Sequence, residues 1–439
     1  MKRYGNLWDK LISMENIKLA YENAKKHKNW QRQVKEVEAH KEEKLKEIQQ
    51  MLVNKTYKVS PYREKKIYEP KERTIYILPF FPDRIVHHAL MNILAPIWDN
   101  MFIYDSYSCR KGKGQHKASF KCEQFVVRND FVLQCDISKF YPSIDHNIMM
   151  KIIENKIKDK NVLWLAETIV RSFQGGKNVP IGNYTSQWFG NLYLHELDMK
   201  IKQEYKIKDY IRYCDDFLLF GNNKGELWEI GKKIKEFCKT QRKLRLSKLR
   251  LYRADESVDF LGYVHKKEHY ILLRKSAAKR FKRHINTLRW NIEHKNIALN
   301  KARSSIDSML GWLKYANTYN LRQKLGFDKL RSDIMKGLPK TLNSKQDYLY
   351  LKENTSKEYY IPFFQELLDS RFGWYFIENL PTEKEGINDD THKVVVNEDI
   401  GENEETVYAQ YELKENENAK IFRIGFTVEE VEDILLDKK

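Results

Sequence analysis

Tyr213 to Asp216 (YCDD) places two carboxylates side by side inside IRYCDDFLLF, with apolar and aromatic residues on both flanks. Successive side chains on a strand point to opposite faces, whereas a tight hairpin turn can present both acids at one spot between two core-entering strands. Taken alone, such a pair reads as an acidic surface turn. Joined by a third carboxylate it could hold a pair of divalent cations. The best candidate is Asp136, which ends the apolar run FVLQC, 79 residues before Asp215. Asp145 lies nearby but follows a proline-turned segment, where it is expected to cap the next helix. Three such acids suit phosphoryl transfer, which is mainly positioning and charge neutralisation. Two Mg²⁺ ions about 4 Å apart would activate a 3′-hydroxyl and stabilise a leaving pyrophosphate. Between the acids lies PIGNYTSQWFGNLYL, a loop entering a helix. There Gly182 permits close approach to a base pair, and the helix start favours phosphate.

These residues need elements to hold them. Apolar spacing predicts helices over 7–54, with 38–52 an exposed charged arm because most of its faces carry charge. Prolines 61, 70, 79, 82 and 96 punctuate a more extended stretch, in which TIYILPF reads as a strand and Asp83 to Leu94 as a helix. Phe131 to Cys135 is a strand, followed by helices over Asn147–Ile157 and Leu163–Phe173. Gly175, Gly176, Pro180 and Gly182 mark a loop before a helix from about Ser186 to Lys202. After the YCDD hairpin come a helix over Glu226–Gln241 and strands near Leu249–Arg253 and Ser257–His265. Residues 275–330 form a basic helical block.

The chain has 439 residues, 41% of them hydrophobic, enough for two to four structural units. No apolar run approaches the roughly 18 residues of a membrane span, and no apolar signal region opens the chain, so a cytoplasmic location is expected. Five scattered cysteines without a CxxC pair argue against a disulfide framework or zinc module and read as reduced, mostly buried thiols. Charge is unevenly spread. Residues 378–439 carry 18 acids against 7 bases, −11 of a chain total of +18, so residues 1–377 stand at +29. A body that basic, rich in tyrosine and tryptophan, suits a polyanion with stackable bases.

The order of these segments resembles the reverse transcriptase family over residues 55 to 330. The strand ending on Asp136 is similar to that family's motif A, PIGNYTSQWFGN to motif B, YCDD to motif C, and LRLSKLRLY to motif D. VDFLGYV resembles the primer-grip hairpin, and KERTIYILPFFPDRIVHHAL with FIYDSYSCRKGKGQH resembles the fingers motifs of bacterial members. The resemblance implies an α+β, right-hand polymerase fold. Its parts would be an N-terminal helical region (1–54), fingers (55–130), a palm with an antiparallel sheet (131–265, with 147–180 shared with the fingers), a helical thumb (266–336), and a small C-terminal module with an acidic tail (346–439). It implies RNA-directed DNA polymerase activity with two Mg²⁺ held by Asp136, Asp215 and Asp216 and the Ile137 carbonyl. Tyr141 would be the aromatic gate against a ribose 2′-hydroxyl. Lys71, Arg73 and Arg110 would contact the triphosphate, with Gly182 and Lys248 also at the nucleotide and Lys248 protonating pyrophosphate. Phe260, Leu261 and Gly262 would form the primer grip. Arg280, Lys282 and Arg283 would face template–primer, and Gly311 and Trp312 would pack the thumb.

Motif B points to a branch. Most relatives carry QGxxxSP there, where this chain has Ile181, Gly182 and, at the last position, Gln187. Ile in place of Gln removes a hydrogen-bonding amide near the templating base, leaving packing alone to check geometry. The IGNxTSQ form resembles diversity-generating retroelement reverse transcriptases, which implies error-prone copying of a template-repeat RNA at adenines into cDNA. The implied partners are that RNA, the RNA/cDNA primer–template, dNTPs and a small pentameric helical accessory protein. A phage-defence reverse transcriptase and a non-catalytic RNA-binding scaffold are the competing readings; a group II intron maturase fits less well. No ribonuclease H or HNH constellation is apparent in the sequence, and the acidic segment reads as a solvated tail. The last hundred residues match nothing in the resemblance.

Overall fold

A computed structural model describes residues 3–68, 72–294 and 296–337, with strand backbone at 394–397, 406–415 and 418–427. The chain is α+β. It divides into two compact units, Met1–Phe281 with Leu310–Tyr319, and Lys282–Met309 with Asn320–Lys439.

The first unit opens with α1 (Trp8–Ile12), α2 (Met14–Lys25), α3 (Arg32–Ala39) and α4 (Lys41–Val53). Ser13 caps α2 by accepting from the Asn16 N–H. The segment 38–52 is not an exposed arm. Leu45, Ile48 and Leu52 form a fully buried stripe at helical spacing, while its charged residues stay outside, Lys41 pairing with Glu22 at 3.0 Å. Three apolar residues over two turns are enough to seat a helix whose other faces are charged.

A hairpin follows, β1 (Arg63–Ile67) with β2 (Arg73–Ile77), Arg63 opposite Ile77. Next come α5 (Ile85–Asp99), against which α2 packs, and α6 (Gln115–Arg128). Then follow β3 (Phe131–Ile137), α7 (Phe140–Ser143), α8 (His146–Glu154), α9 (Lys160–Val170) and α10 (Tyr184–Met199). Asp145 caps α8 as its position suggested, accepting from Asn147 and Ile148 N–H. Asp159 caps α9 with one oxygen, and with the other accepts from the Leu7 and Trp8 N–H at 2.8 and 3.0 Å, binding the start of α1.

The remaining elements of this unit are β4 (Tyr210–Tyr213), β5 (Asp216–Gly221), α11 (Lys224–Arg242), β6 (Leu246–Arg253) and the antiparallel trio β7 (Val258–Phe260), β8 (Tyr263–Lys266) and β9 (Tyr270–Leu273). Strands β4, β5, β3 and β6 form one antiparallel sheet in that order. Both faces are buried. Leu133, Cys135, Phe217 and Leu219 enter the large core shared with α10 and α11, while Val132, Leu218, Phe220 and Tyr252 meet α6 residues Cys122, Phe125 and Val126. That double burial explains why β3 and β5 read as continuous apolar runs.

Helices α12 (Lys275–Glu293) and α13 (Leu299–Leu313) lead into the second unit, which also holds α14 (Tyr319–Leu325) and α15 (Phe327–Gly337). Within it Ile285, Leu288, Ala302, Ile306, Phe327 and Ile334 are buried. Lys282 and Arg283 lie on the exposed side and Arg280, in the first unit, is half-buried. Further on, the acidic segment is not wholly an unstructured tail. It contains a three-stranded antiparallel sheet of β10 (Val394–Asn397), β11 (Thr406–Glu415) and β12 (Asn418–Thr427). Alternating apolar residues in VYAQYEL and AKIFRIGF suit such strands despite the surrounding acids. Residues 346–377 and 428–436 lie outside the described residues.

Candidate active site

The three acids expected to act together are brought to one end of one sheet. In the antiparallel register Asp136 of β3 sits opposite Asp216 of β5 on one side and opposite Lys248 of β6 on the other. Directly opposed side chains share a face, with Cβ atoms about 5 Å apart. Asp215 lies in the two-residue turn between Tyr213 and Asp216. Cys214 begins this turn at φ +59°, a left-handed conformation that a non-glycine residue holds only when its surroundings impose it.

The imposing group is Arg212, fully buried. Its guanidinium donates to the Cys214 carbonyl at 3.0 Å and to Asn191 Oδ1 at 3.1 Å, and forms two bonds with Asp198, itself fully buried, at 2.7 and 2.6 Å. Tyr210 adds a hydroxyl to Asp198 at 2.7 Å. Sequence reasoning passed over this cluster. Its signal was an arginine in an otherwise apolar strand, which requires a buried counter-ion.

Burial, the Asp136 charge and the Asp215 charge push the Asp216 carboxyl up to about 7, against the opposing pull of Lys248. Asp215 is also raised, by burial first and by Asp136, with Arg73 of β2 pulling the other way. Asp216 Oδ1 is buried and has no hydrogen-bond partner. Asp136 accepts from the Ser247 hydroxyl, both at a carboxylate oxygen and, at 3.2 Å, at its carbonyl. Ser247 was not foreseen; it lies in LRLSKLRLY beside Lys248. Crowded carboxylates, two of them reluctant to ionise, and an orphaned oxygen fit a hard, oxygen-seeking dication. Asp136, Asp215 and Asp216 would hold it. Among the described residues no three His, Cys, Asp or Glu side chains stand close enough to hold a metal ion together as they are placed.

Around this end the structure arranges several other expected residues. Tyr141, half-buried beyond β3, accepts from the Cys214 thiol at 3.2 Å, so the candidate gate touches the acidic turn. Burial drives its phenol well above the usual range. Lys248 donates to Gln134 Oε1 at 2.6 Å on the same sheet face as Asp216. Ile181 accepts at its carbonyl from the Tyr76 N–H at 2.8 Å, tying the motif B loop to β2. Gly182, at φ +122°, makes its close approach here to protein: a Cβ would stand 2.3 Å from the Tyr76 carbonyl oxygen. Gln187 is exposed on the first turns of α10. Ile137 ends β3 at a register shift against β6.

Phe260, Leu261 and Gly262 form the tight turn between β7 and β8, both turn residues having positive φ (+53° and +86°). Trp312 closes on it, stacking on Tyr263 with ring centroids 5.5 Å apart, and a Cβ on Gly262 would meet its ring at 3.0 Å. Gly311 has no neighbour within 4 Å of a would-be Cβ.

Arg110 is turned inward in this structure. Its side chain is 8% exposed and closes the C-terminus of α5, donating to Asp99 Oδ1 (2.5 Å), the Asp99 carbonyl (3.2 Å) and the carbonyls of Ile103 (2.7 Å) and Ser106 (3.0 Å). Four of five donors are thus spent on the backbone and one acid, an engagement that a triphosphate contact would have to break. Lys71 lies outside the described residues. Arg73 is exposed and acts electrostatically on Asp215.

Comparison with known proteins agrees with this arrangement. Residues 62–265 match the family model for reverse transcriptase (RNA-dependent DNA polymerase). Protein YkfC of Escherichia coli is 23% identical over 291 residues, covering 53% of this chain and 76% of its own length. Group II intron-encoded protein LtrA of Lactococcus lactis is 27% identical over 175 residues, 37% of this chain and 29% of LtrA. Nuclear intron maturase 1 of Arabidopsis thaliana is 27% identical over 93 residues, 21% of this chain and 13% of that protein. The chain therefore spans less than a third of the intron-encoded relatives it matches.

Proposed function

We propose, for a chain that carries a reverse transcriptase domain and the RNA-directed DNA polymerase class that goes with it, that it copies a template-repeat RNA into cDNA with low fidelity at template adenines, as diversity-generating retroelement enzymes do. The observation that carries the polymerase reading is the cross-strand pair Asp136–Asp216 with Asp215 at the adjoining turn. On this reading β1 and β2 belong to the fingers, the four-stranded sheet is the palm, and α12 to α15 contain the thumb. Bound Mg²⁺ would supply the charge that activates the 3′-hydroxyl and stabilises pyrophosphate. The chain's own residues position the reactants. Arg212 fixes the turn, Tyr141 closes the floor beside it, and Arg73 offers a cation to phosphate within electrostatic reach of Asp215. Lys248, beside Asp136 on the side away from Asp216, would hand a proton to the leaving group. RNA and dNTPs are the substrates this class requires, and the basic body suits the first.

The low-fidelity reading rests on Ile181. Its side chain offers no hydrogen bond where an amide would, and its backbone is spent on Tyr76. A pentameric helical accessory protein would complete the partner set. Similarity to intron-encoded proteins favours a second reading, in which the chain copies an intron RNA. Primer extension with the purified chain on RNA, followed by cDNA sequencing, separates the two. The first reading expects errors concentrated at template adenines and reduced by Ile181→Gln. Uniformly faithful copying sinks it. Asp215→Asn should abolish product under both.

A further inference from the structure

Gln134 has no part in the reading above, yet it stands on the sheet face that carries the acids. It lies two residues before Asp136 on β3, opposite Leu218 of β5 and Arg250 of β6. Its side chain therefore shares a face with Asp136, Asp216 and Lys248. It is 5% exposed, and both edges of its amide are engaged. Oε1 accepts from the Lys248 ammonium at 2.6 Å and from the Tyr252 hydroxyl at 3.2 Å, its two diagonal neighbours on β6. Nε2 donates to the Asp259 carbonyl of β7 at 3.0 Å. Gln134 also pulls against the burial and the neighbouring acids that raise Asp216. An amide of this length supplies an acceptor edge and a donor edge at once. A carboxylate in its place would oppose the Asp259 carbonyl.

Lys248 has a stronger acceptor close by. It lies directly opposite Asp136, and opposed Cβ atoms stand about 5 Å apart, within reach of an ammonium–carboxylate pair. The ammonium is bonded instead to the neutral amide two residues back along β3. Asp136 takes the Ser247 hydroxyl. An ammonium seated on Asp136 would compete with a dication for the same oxygens, and at that range the attraction is large in a half-buried site.

We propose that Gln134 is a positioning residue that holds the Lys248 ammonium off Asp136, so that the three carboxylates stay free for dications while the lysine remains beside them. The proposal rests on the polymerase reading. The Asp259 carbonyl fixes which way the amide points, and so turns its acceptor edge to Lys248. Asp259 is itself held, its carboxylate accepting from Arg274 Nε at 2.8 Å. The hold on the lysine thus comes from the neighbouring hairpin rather than from the acids.

The test uses the full-length chain without nucleic acid or dNTPs, and reads the Mg²⁺ concentration that gives half of the maximal rise in melting temperature. Gln134→Met keeps the bulk and removes both polar edges. It should raise that midpoint about tenfold, the size of a coupling between contacting groups, because the freed ammonium pairs with Asp136. In a Lys248→Met background the same change should leave the midpoint where it was. A glutamine that served packing alone would act equally in both backgrounds, and equal shifts, or none in either, would overturn the proposal. Lys248→Met by itself should stay near the wild-type midpoint. A tenfold fall there would mean that the ammonium already sits on Asp136, and this arm decides the matter even if Gln134→Met does not fold. Tyr252→Phe removes the other donor to Oε1 and should leave the midpoint unchanged; a shift as large as that of Gln134→Met would also sink the idea. So would a wild type whose melting temperature ignores Mg²⁺. Because no turnover is measured, the proposal can fail while Asp215-dependent extension persists. Midpoints as expected, with no extension on RNA, would fault the polymerase reading alone.

Discussion

Arg212 donates to the carbonyl of Cys214 at 3.0 Å, so a guanidinium with no solvent exposure holds the residue that starts the acidic turn. Arg212→Met alone would leave Asp198 charged and uncompensated, at a cost of about 3–5 kcal/mol. Combining Arg212→Met with Asp198→Leu and Tyr210→Phe replaces the polar cluster by packing and should recover most of that stability. The turn would still lack its donor, so single-turnover primer extension should stay roughly 10–100-fold down. A triple variant with both wild-type melting temperature and wild-type rate would show that the cluster serves folding only.

Asp216 keeps its proton to about pH 7 in the fold, against about 3.9 in the unfolded chain. Between those values the folded chain binds more protons, so this group's contribution to stability falls as pH rises and levels off above about 7. In chelator, Asp216→Asn should therefore raise the melting temperature at pH 8 and have little effect near pH 4. An identical shift at both pH values would contradict the linkage. Mg²⁺ should stabilise the wild type more at pH 8 than at pH 6, because protons compete for the same oxygens.

Arg73 and Arg110 should part company. Arg73→Ala is expected to raise the KM for dNTP about tenfold, the size of one charge-assisted phosphate contact, with an unchanged melting temperature. Arg110→Ala should lower the melting temperature, because it strips the C-terminus of α5 of a buried cap worth about 1–3 kcal/mol. Residual folded protein should keep its KM. Reversed phenotypes would restore Arg110 to the triphosphate site.

Gly182→Ala tests the seam between β2 and the motif B loop. The added Cβ would stand 2.3 Å from the Tyr76 carbonyl at φ +122°, so about 1–3 kcal/mol of destabilisation is expected from backbone strain before any contact is counted. Thermal melts of the apo-protein measure it. A neutral result would mean that the loop is free to move away from β2.

The acids were legible because their setting is local. An apolar strand ending on Asp136 and a YCDD flanked by apolar runs state the hairpin and the strand in a few residues, and Asp145 announces its cap in the same way. The partners of Arg110 were not legible, since helix-closing carbonyls leave no mark in the sequence. Gly182 looked like a residue cleared for ligand, whereas its neighbour is the backbone of Tyr76, over a hundred positions away. The α4 stripe was masked by charges that outnumber its three buried residues. The Arg212 cluster joins three elements, and the sequence marks its need for a counter-ion without naming Asp198.

The hold of Asp159 on the Leu7 and Trp8 amides also sets an order of events on the ribosome. Helices α1 and α2 leave the exit tunnel before α5, against which they pack, and the start of α1 waits for a carboxylate about 150 residues later. At ordinary elongation rates that interval is on the order of ten seconds. For that time these helices carry uncovered amphipathic surface, which makes them natural clients for chaperones during synthesis.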